Sequence, residues 1–580
     1  MSKRLLGIGV LMSLAVLFVV ACGDDDTSTP RPTTAVPTAV ATTAPDEPTA
    51  VPSAKPEGDL VLMINDMKGV SVAGQPARAA PRLRGPMQWV MDTPLQAPID
   101  GPGALLPRLA ESWEVSSDGC CLTVKLKKGI QFHDGWGEVT AQDLIFAAES
   151  AAADGSRHGR KGEFRGLQNT EIIDSHTIKW TAADARVLFL LSSLHTYVGL
   201  QVPSKNYYDT VGEEEADKHW IGSGPWEFIE AREGEFAKFQ AVDEHHWKVP
   251  EFKNLTLLEI PEPSAQLAAI RAGEADGGLL PADLAGEAKV QGLSVLQVAG
   301  GKFGKITFGG LYLPDRSQPD QNCGDVWNKS CGEYNPDLPW VGDTADPNGD
   351  ENARKVREAL TIAIDRDIIR ETIYEGVSQP LVVDGLFPGG IADDGSLQPY
   401  EYNPTRAKAL LAEAGFPDGF EVDMHFTRTT QAEDQAALAV APMWEAIGVK
   451  VNLIAGFETR PQVVERVFAK DKNEVILSFG NASYAETIFW ARQASWREDS
   501  IVGGEHPILE QLLIDTATSF DAAERLENSK ELHQWWYDNN WDVPLLLLSN
   551  LMVSSDKIAE WPYPFGDRYL GYASFIKRAQ

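Results

Sequence analysis

Positive charge is scarce in this chain. Against 84 aspartates and glutamates stand 51 lysines and arginines, for a formal net charge of -33 over 580 residues. Such a field repels nucleic-acid phosphates and anionic lipid surfaces, so both are poor partner candidates. Cysteine is scarce too, at five residues. Beyond the first two dozen residues there is no long apolar run. The most apolar stretch left, "VPLLLLSNLMV" from Val543 to Val553, has the length of a buried strand with its flanks, not of a membrane span. Neither G-x-S-x-G nor H-E-x-x-H occurs, so the commonest signatures of exported hydrolases are missing. What remains is a globular composition, 43% hydrophobic and 23% charged. Its length corresponds to about two to four domains.

The N-terminus is a targeting segment. Lys3 and Arg4 precede the apolar run Leu5 to Ala21, as in a secretory signal peptide. The run ends in "VVAC", which resembles a bacterial lipobox and makes Cys22 the expected lipidated N-terminus of the mature chain. The alternatives are a plain membrane anchor or a cut elsewhere. Residues 23–57, rich in Thr, Pro and Ala, cannot bury enough surface to order themselves. Proline keeps such a tether extended at about 3 Å per residue. The expected location is therefore the extracytoplasmic face of a bacterial membrane, held by lipid. Export permits disulfides. A small ring between Cys323 and Cys331 is expected in the polar loop "NCGDVWNKSCGEY", where a zinc site would want more ligands. Cys120 and Cys121 are neighbours, and are expected as hairpin residues with one side chain on each face.

The body alternates strands with helices, which is an α/β class. In "LTVKLKKGIQF", Leu122, Val124 and Leu126 share one face, and Ile130 and Phe132 extend the pattern as a hairpin. His133 and Asp134 then sit at a strand end and a turn, before a helix capped by Thr140 and Asp143. A catalytic pair needs a third group and a pocket, so these two are read as turn chemistry. Asn403 and Pro404 open a helix that stops at Gly415, and Phe420 to Phe426 alternate as a strand. The next helix ends at Gly448 and is expected to kink or break at Pro442. "ENARKVREALTIAIDRDIIRETIYEG" has a long helical pattern with Val356, Leu360, Ala363 and Ile364 inward.

Together these stretches resemble the family 5 extracellular solute-binding proteins. The resemblance rests on "LLPRLAESWEVSSDGCCLTVKLKKGIQFHDGWGEVTAQDLIFA", "IGSGPWEFIE", "HHWKVPEFKNLTLLEI", "AQLAAIRAGEADG", "RKVREALTIAIDRDII" and "YNPTRAKALLAEAGFPDGF", in family order. It implies a two-lobed periplasmic-binding-protein type II fold with an extra small domain on lobe one. Residues 58–95, 215–302 and 543–580 would form lobe one, 96–214 the extra subdomain, and 303–542 lobe two, with hinge crossings near Gly301 and Val543. It also implies a binding protein without catalysis, which takes a small or peptide-like ligand and serves an ABC permease and ATPase. A monomer without cofactor is expected, and a sensory co-receptor on the same fold is the alternative.

The site residues follow from the same resemblance. Peptide-binding relatives hold the ligand amine with an aspartate in a stretch like A-D-Y-x-D/E-P; here the stretch is "GNASYAETIFW". Tyr484 and Glu486 match, whereas Ser483 stands at the aspartate position. An ammonium without a counter-charge is costly to desolvate, so only Glu486 could replace that partner. Tyr484 and Trp490 would supply aromatic surface, and Trp226 of "IGSGPWEF" a wall from the opposite lobe. The loop 314–352 spaces Asp346, Asn348, Asp350 and Asn352 like a calcium loop, but has Glu351 and Arg357 where glycine and glutamate belong. It is read as a solvated acidic loop, and the adjacent His245 and His246 as a strand end. Among the site expectations, the anchor is tested most directly. Cys22→Ala should move the protein from the membrane pellet to the soluble fraction; retention in the pellet after a salt wash would mean an anchor other than lipid.

Overall fold

The computed structural model describes residues 55–579 except 69–74, 80–82, 97–104, 183–186, 311–334, 428–430, 458–461, 463–472, 482–505 and 563–569, with other gaps of one to three residues. Its spine is one eleven-stranded sheet. The strands run in the order Lys450–Phe457, Glu421–Thr427, Val475–Asn481, Ser294–Phe308, Val543–Ser554, Gly277–Leu280, Asp59–Ile64, Asn254–Glu259, Phe236–Ala241 and Trp226–Arg232, with Ser378–Pro380 also paired to Val543–Ser554. Each half contains a parallel unit with a helix in the crossover. Pro263–Ala272 joins Asn254–Glu259 to Gly277–Leu280, and both strands flank Asp59–Ile64. Gln431–Glu445 joins Glu421–Thr427 to its parallel neighbour Lys450–Phe457. This is the α/β class the sequence pattern points to.

Two antiparallel strands serve both halves. Ser294 faces Ser554 and Val298 faces Asn550; after a shift of register, Lys302 faces Leu548 and Ile306 faces Val543. The first stretch of Val543–Ser554 is apolar because it is covered on both faces: Val543, Leu545, Leu546 and Leu547 are each no more than 1% exposed. A smaller antiparallel sheet stands apart, in the order Ala110–Val115, Cys121–Leu126, Thr177–Ala182 and Leu167–Asp174. Its buried face is the alternating set Leu122, Val124 and Leu126, joined by Ile178 and Trp180. Helix Ala141–Ala152 adds Leu144, Ala147 and Ala148 to the same apolar cluster. It starts where expected, with Asp143 Oδ2 accepting from the Thr140 backbone N–H at 2.9 Å.

Several local expectations are corrected. The hairpin pairs Cys121–Leu126 with the preceding strand Ala110–Val115, not with Ile130 and Phe132, because the tight turn lies at residues 116–120. In that turn the adjacent Cys120 and Cys121 are joined as a disulfide, so their sulfurs do not take opposite faces. The long helical pattern is two helices, Gly349–Ile362 and Arg366–Ile373. Asp365 separates them by taking an extended backbone and accepting from the Ile368 N–H at 3.0 Å. Val356, Leu360, Ala363 and Ile364 are buried as expected. The helix Gln431–Glu445 runs through Pro442 without a break. Proline leaves the carbonyl four residues back without its helical partner, and that residue, Leu438, is 60% exposed. Gly349 onward is helix, so Asp350 and Asn352 belong to a first turn and not to a loop.

The structure also buries an ion cluster. Lys305 Nζ contacts Asp384 Oδ2 and lies 3.2 Å from Asp542 Oδ2, with all three side chains under 10% exposed. Burial opposes the lysine charge, but the two carboxylates outweigh it and its pKa is raised. Burial likewise pushes Asp542 up to about 6. Lys305→Met would leave two carboxylates buried without a counter-charge, which costs about 3 to 5 kcal/mol. Urea denaturation should show a loss of that size, and an unchanged midpoint would mean that Lys305 is not the group that neutralises them.

Candidate ligand site beside the crossing strands

The segment expected to carry the ligand contacts follows strand Val475–Asn481 in the sequence. Strand Val475–Asn481 ends with Asn481 opposite Lys302, beside the register shift of the crossing strands. Glycines make this end compact. Gly304 lies opposite Phe479 and Gly480 opposite Phe303. A Cβ on Gly304 would stand 2.5 Å from the Phe479 ring, and one on Gly480 2.7 Å from the Phe303 ring. Each ring lies over its partner's bare backbone, which fixes the register by packing. Lys302 Nζ meets Glu433 Oε1 at 3.0 Å, with the lysine 39% and the carboxylate 2% exposed. The strand end therefore carries a half-exposed cation held by a buried carboxylate. Neither residue was singled out by sequence reasoning, since nothing local marks Lys302 or Glu433.

Ser483, Tyr484, Glu486 and Trp490 lie outside the described residues, as do Cys22, Cys323 and Cys331. Trp226 is described, and its expected role is corrected. It is 0% exposed, packs in an apolar core with Trp220, Phe228 and Phe239, and donates from Nε1 to Ser574 Oγ at 3.0 Å. A side chain with no accessible surface offers no wall to a ligand. Strand Trp226–Arg232 turns this residue inward as the first of its alternating apolar positions, followed by Phe228.

The neighbouring "GSGP" glycines do a different job. Gly224 N donates to Val90 O at 2.8 Å, and a Cβ on Gly222 would stand 2.0 Å from that oxygen. Backbone approaches this close admit only glycine. The F-H-D-G turn docks on the same segment. His133 donates from its backbone N to Gly222 O at 2.8 Å and from Nε2 to Gly224 O at 2.8 Å. Asp134 takes a positive φ of 55°, which the turn requires. His133 and Asp134 are thus the joint between this turn and the "GSGP" segment, in keeping with the turn reading.

Next to this joint lies a buried charge centre. Asp92, 0% exposed, binds Arg108 Nε at 2.6 Å through Oδ1. Its Oδ2 lies 2.8 Å from His246 Nε2 and 3.4 Å from His245 Nε2. Arg108 in turn lies 4.5 Å over the Trp247 ring. Burial opposes the Asp92 charge, yet Arg108 and the two histidines overcome it and hold its pKa well below the usual carboxylate range. The three groups Asp92, His245 and His246 are close enough to share a metal ion. The hydrogen bonds of His245 argue against that use. Its Nδ1 accepts from the backbone N–H groups of Trp247 and Lys248, at 3.3 and 3.1 Å. The proton therefore resides on Nε2, which donates to Ser223 O at 2.9 Å and has no lone pair for a metal. The centre is a charged clasp between three chain segments.

A separate polar cavity of about 290 Å³ is lined among others by Asp393, Asp394, Lys530, Glu531 and His533. Burial lowers His533 to about 4, so its imidazole is neutral there.

A sheet divided between two α/β halves, linked by two crossing strands and carrying a small antiparallel subdomain, defines a two-lobed type II periplasmic-binding-protein fold. The solved structures agree. HbpA2 of Haemophilus parasuis matches with a TM-score of 0.72 at 19% identity, over 90% of this chain and 100% of that one. NikA of Brucella suis, in complex with Fe(III)-EDTA, matches at 0.71 and 17%, over 90% and 100%. At these identities the likeness is one of fold. Residues 104–495 match the model of the bacterial extracellular solute-binding proteins, family 5, and the chain belongs to that family. Heme-binding protein A of Haemophilus influenzae is 27% identical over 60% of this chain and 61% of its own length. The dipeptide-binding protein of Escherichia coli is 25% identical over 61% and 64%. The match thus spans somewhat less than two thirds of these two relatives.

The clasp has a measurable consequence. Asp92→Asn should lower stability by about 3 to 5 kcal/mol in urea denaturation, because Arg108 loses its buried counter-charge. His246→Gln keeps a donor to Asp92 and should cost less than half as much. Burial depresses the pKa of both His133 and His246 in the folded chain. As pH falls below their ordinary value of 6.5, the unfolded chain therefore takes up protons first and stability declines. Equal losses in Asp92→Asn and His246→Gln would mean that the aspartate acts through packing alone.

Proposed function

We propose that this protein is an extracytoplasmic solute-binding receptor. It captures a small ligand between two lobes and delivers it to an ABC permease and its ATPase. The observation that carries this reading is the family match over residues 104–495 on a sheet whose halves meet at the paired strands Ser294–Phe308 and Val543–Ser554. The lobes are assigned to residues 58–95, 215–302 and 543–580 on one side and 303–542 on the other, with 96–214 as the subdomain. The proposed hinge is the pair of chain crossings near Gly301 and near Val543, and the register shift between Val298 and Lys302 supports the first of them. Ligand stabilises the closed state because contacts from both lobes exist only there, and the permease reads closure. Cys22 and the 23–57 tether hold the receptor near that permease and raise its local concentration. Among the described residues no helix is long and apolar enough to cross a membrane.

The ligand class is peptide-like. Relatives include the dipeptide-binding protein and, at 23% identity over 78% of this chain and 82% of its own length, the glutathione-binding protein GsiB of Pectobacterium atrosepticum. Ser483 in place of an aspartate disfavours a free ammonium, which leaves Glu486 as the charge available to a cationic group. Tyr484 and Trp490 supply aromatic surface. The chemistry is binding, and no reaction is assigned to these residues.

Native mass spectrometry of the purified chain should reveal a co-purified small molecule. Burying one aromatic against a ligand contributes about 1 to 3 kcal/mol, and about 1.4 kcal/mol is tenfold in affinity. Trp490→Ala should therefore weaken that compound about tenfold or more in isothermal titration. Unchanged affinity would place Trp490 in the core and remove the "NASYAETIFW" segment from the site.

A further inference from the structure

The turn at residues 116–121 holds a feature that solute binding does not use. Cys120 and Cys121, adjacent in sequence, are joined as a disulfide at the mouth of the hairpin. The backbone around them is held without help from either sulfur. Ser116 N donates to Cys121 O at 2.9 Å, and Ala182 N to Cys120 O at 2.9 Å. Cys121 N donates to Ser116 Oγ at 3.0 Å, and Cys120 N to Asp118 Oδ1 at 3.2 Å. Cys121 also pairs with Thr181 in the sheet. Opening the disulfide therefore leaves the turn in place. The two residues differ in exposure: Cys121 is 6% exposed, whereas Cys120 is half-buried. They also differ in neighbours. Ser116 Oγ lies 3.7 Å from Cys120 Sγ, and Thr181 Oγ1 lies 3.7 Å from Cys121 Sγ.

We propose that Cys120–Cys121 is a thiol–disulfide exchange site of the folded protein, and that its reduced form is a vicinal dithiol that chelates thiophilic trivalent arsenic compounds. Exchange follows access and the stability of the leaving thiolate. The thiolate of a small external thiol attacks Cys120 Sγ, the sulfur of the more exposed residue. The S–S bond breaks, and its electron pair leaves on Cys121 Sγ, where the Thr181 hydroxyl is placed to donate. A second external thiolate attacks the outer sulfur of the mixed disulfide. It takes the first thiol away as a disulfide and frees Cys120. Two external thiols are oxidised, one protein disulfide is reduced, and two protons end on the cysteines. The resulting thiols stand on adjacent residues of a fixed backbone. Both can add to one arsenic(III) centre, as in phenylarsine oxide, whose oxygen then leaves as water with the two thiol protons.

The test uses the full chain. In denaturant without reductant, N-ethylmaleimide should label neither Cys120 nor Cys121. After dithiothreitol under native conditions both should be labelled, with an unchanged circular-dichroism spectrum. One equivalent of phenylarsine oxide should then block labelling of both, and peptide mapping separates them from Cys323 and Cys331. A double variant, Cys120→Ser with Cys121→Ser, should lose that arsenical adduct while keeping its fold. Labelling before reduction would overturn the proposal, as would resistance to dithiothreitol until the chain unfolds. Arsenical uptake undiminished in the double variant would overturn it too.

Discussion

Strand Val543–Ser554 is hydrogen-bonded to Ser294–Phe308 in both halves of the sheet, and most of the architecture depends on that pairing. It is the link through which a sheet edge formed by Lys450–Phe457 and one formed by Trp226–Arg232 belong to the same spine. Antiparallel pairing suits the role, since two strands crossing in opposite directions need no crossover helix at the junction. The register shift between Val298 and Lys302 interrupts the ladder where the halves meet. Flanking it, Phe303, Leu381, Phe387 and Leu547 form a small apolar cluster of their own, separate from the larger cores. An interrupted ladder opposes bending less than a continuous one.

Charge is placed with the same economy. The chain is strongly acidic overall, and two of its buried ionic clusters lie where segments from distant parts of the sequence meet. Asp92 gathers Arg108, His245 and His246 from three chain segments. Lys305 gathers Asp384 and Asp542. Such clusters add little net stability over apolar packing, but they are costly to misassemble, because any other arrangement leaves a buried charge unpaired. They specify which segments come together. The disulfide at Cys120 and Cys121 contrasts with them: it ties nothing distant, and the turn around it is secured by backbone hydrogen bonds.

The local structure was legible in the sequence where one segment contains its own cause. Thr140 with Asp143, Asn403 with Pro404, and the alternation of Leu122, Val124 and Leu126 each encode a cap or a face within a few residues, and each appears where expected. The family resemblance likewise reached the fold, since its motifs lie in order along the chain. What the sequence could not decide were contacts between residues far apart. Nothing near Trp226 indicates that Ser574 will take its indole N–H and hold it in the core. Nothing near Asp92 announces a partner at Arg108 and two more at His245 and His246. Even the role of adjacent histidines turned on a tautomer, fixed by the backbone N–H groups of Trp247 and Lys248 and by the carbonyl of Ser223. Periodicity and caps are short-range physics and are written in the chain; burial, counter-charge and proton position depend on which surfaces meet, and only the folded structure brings those surfaces together.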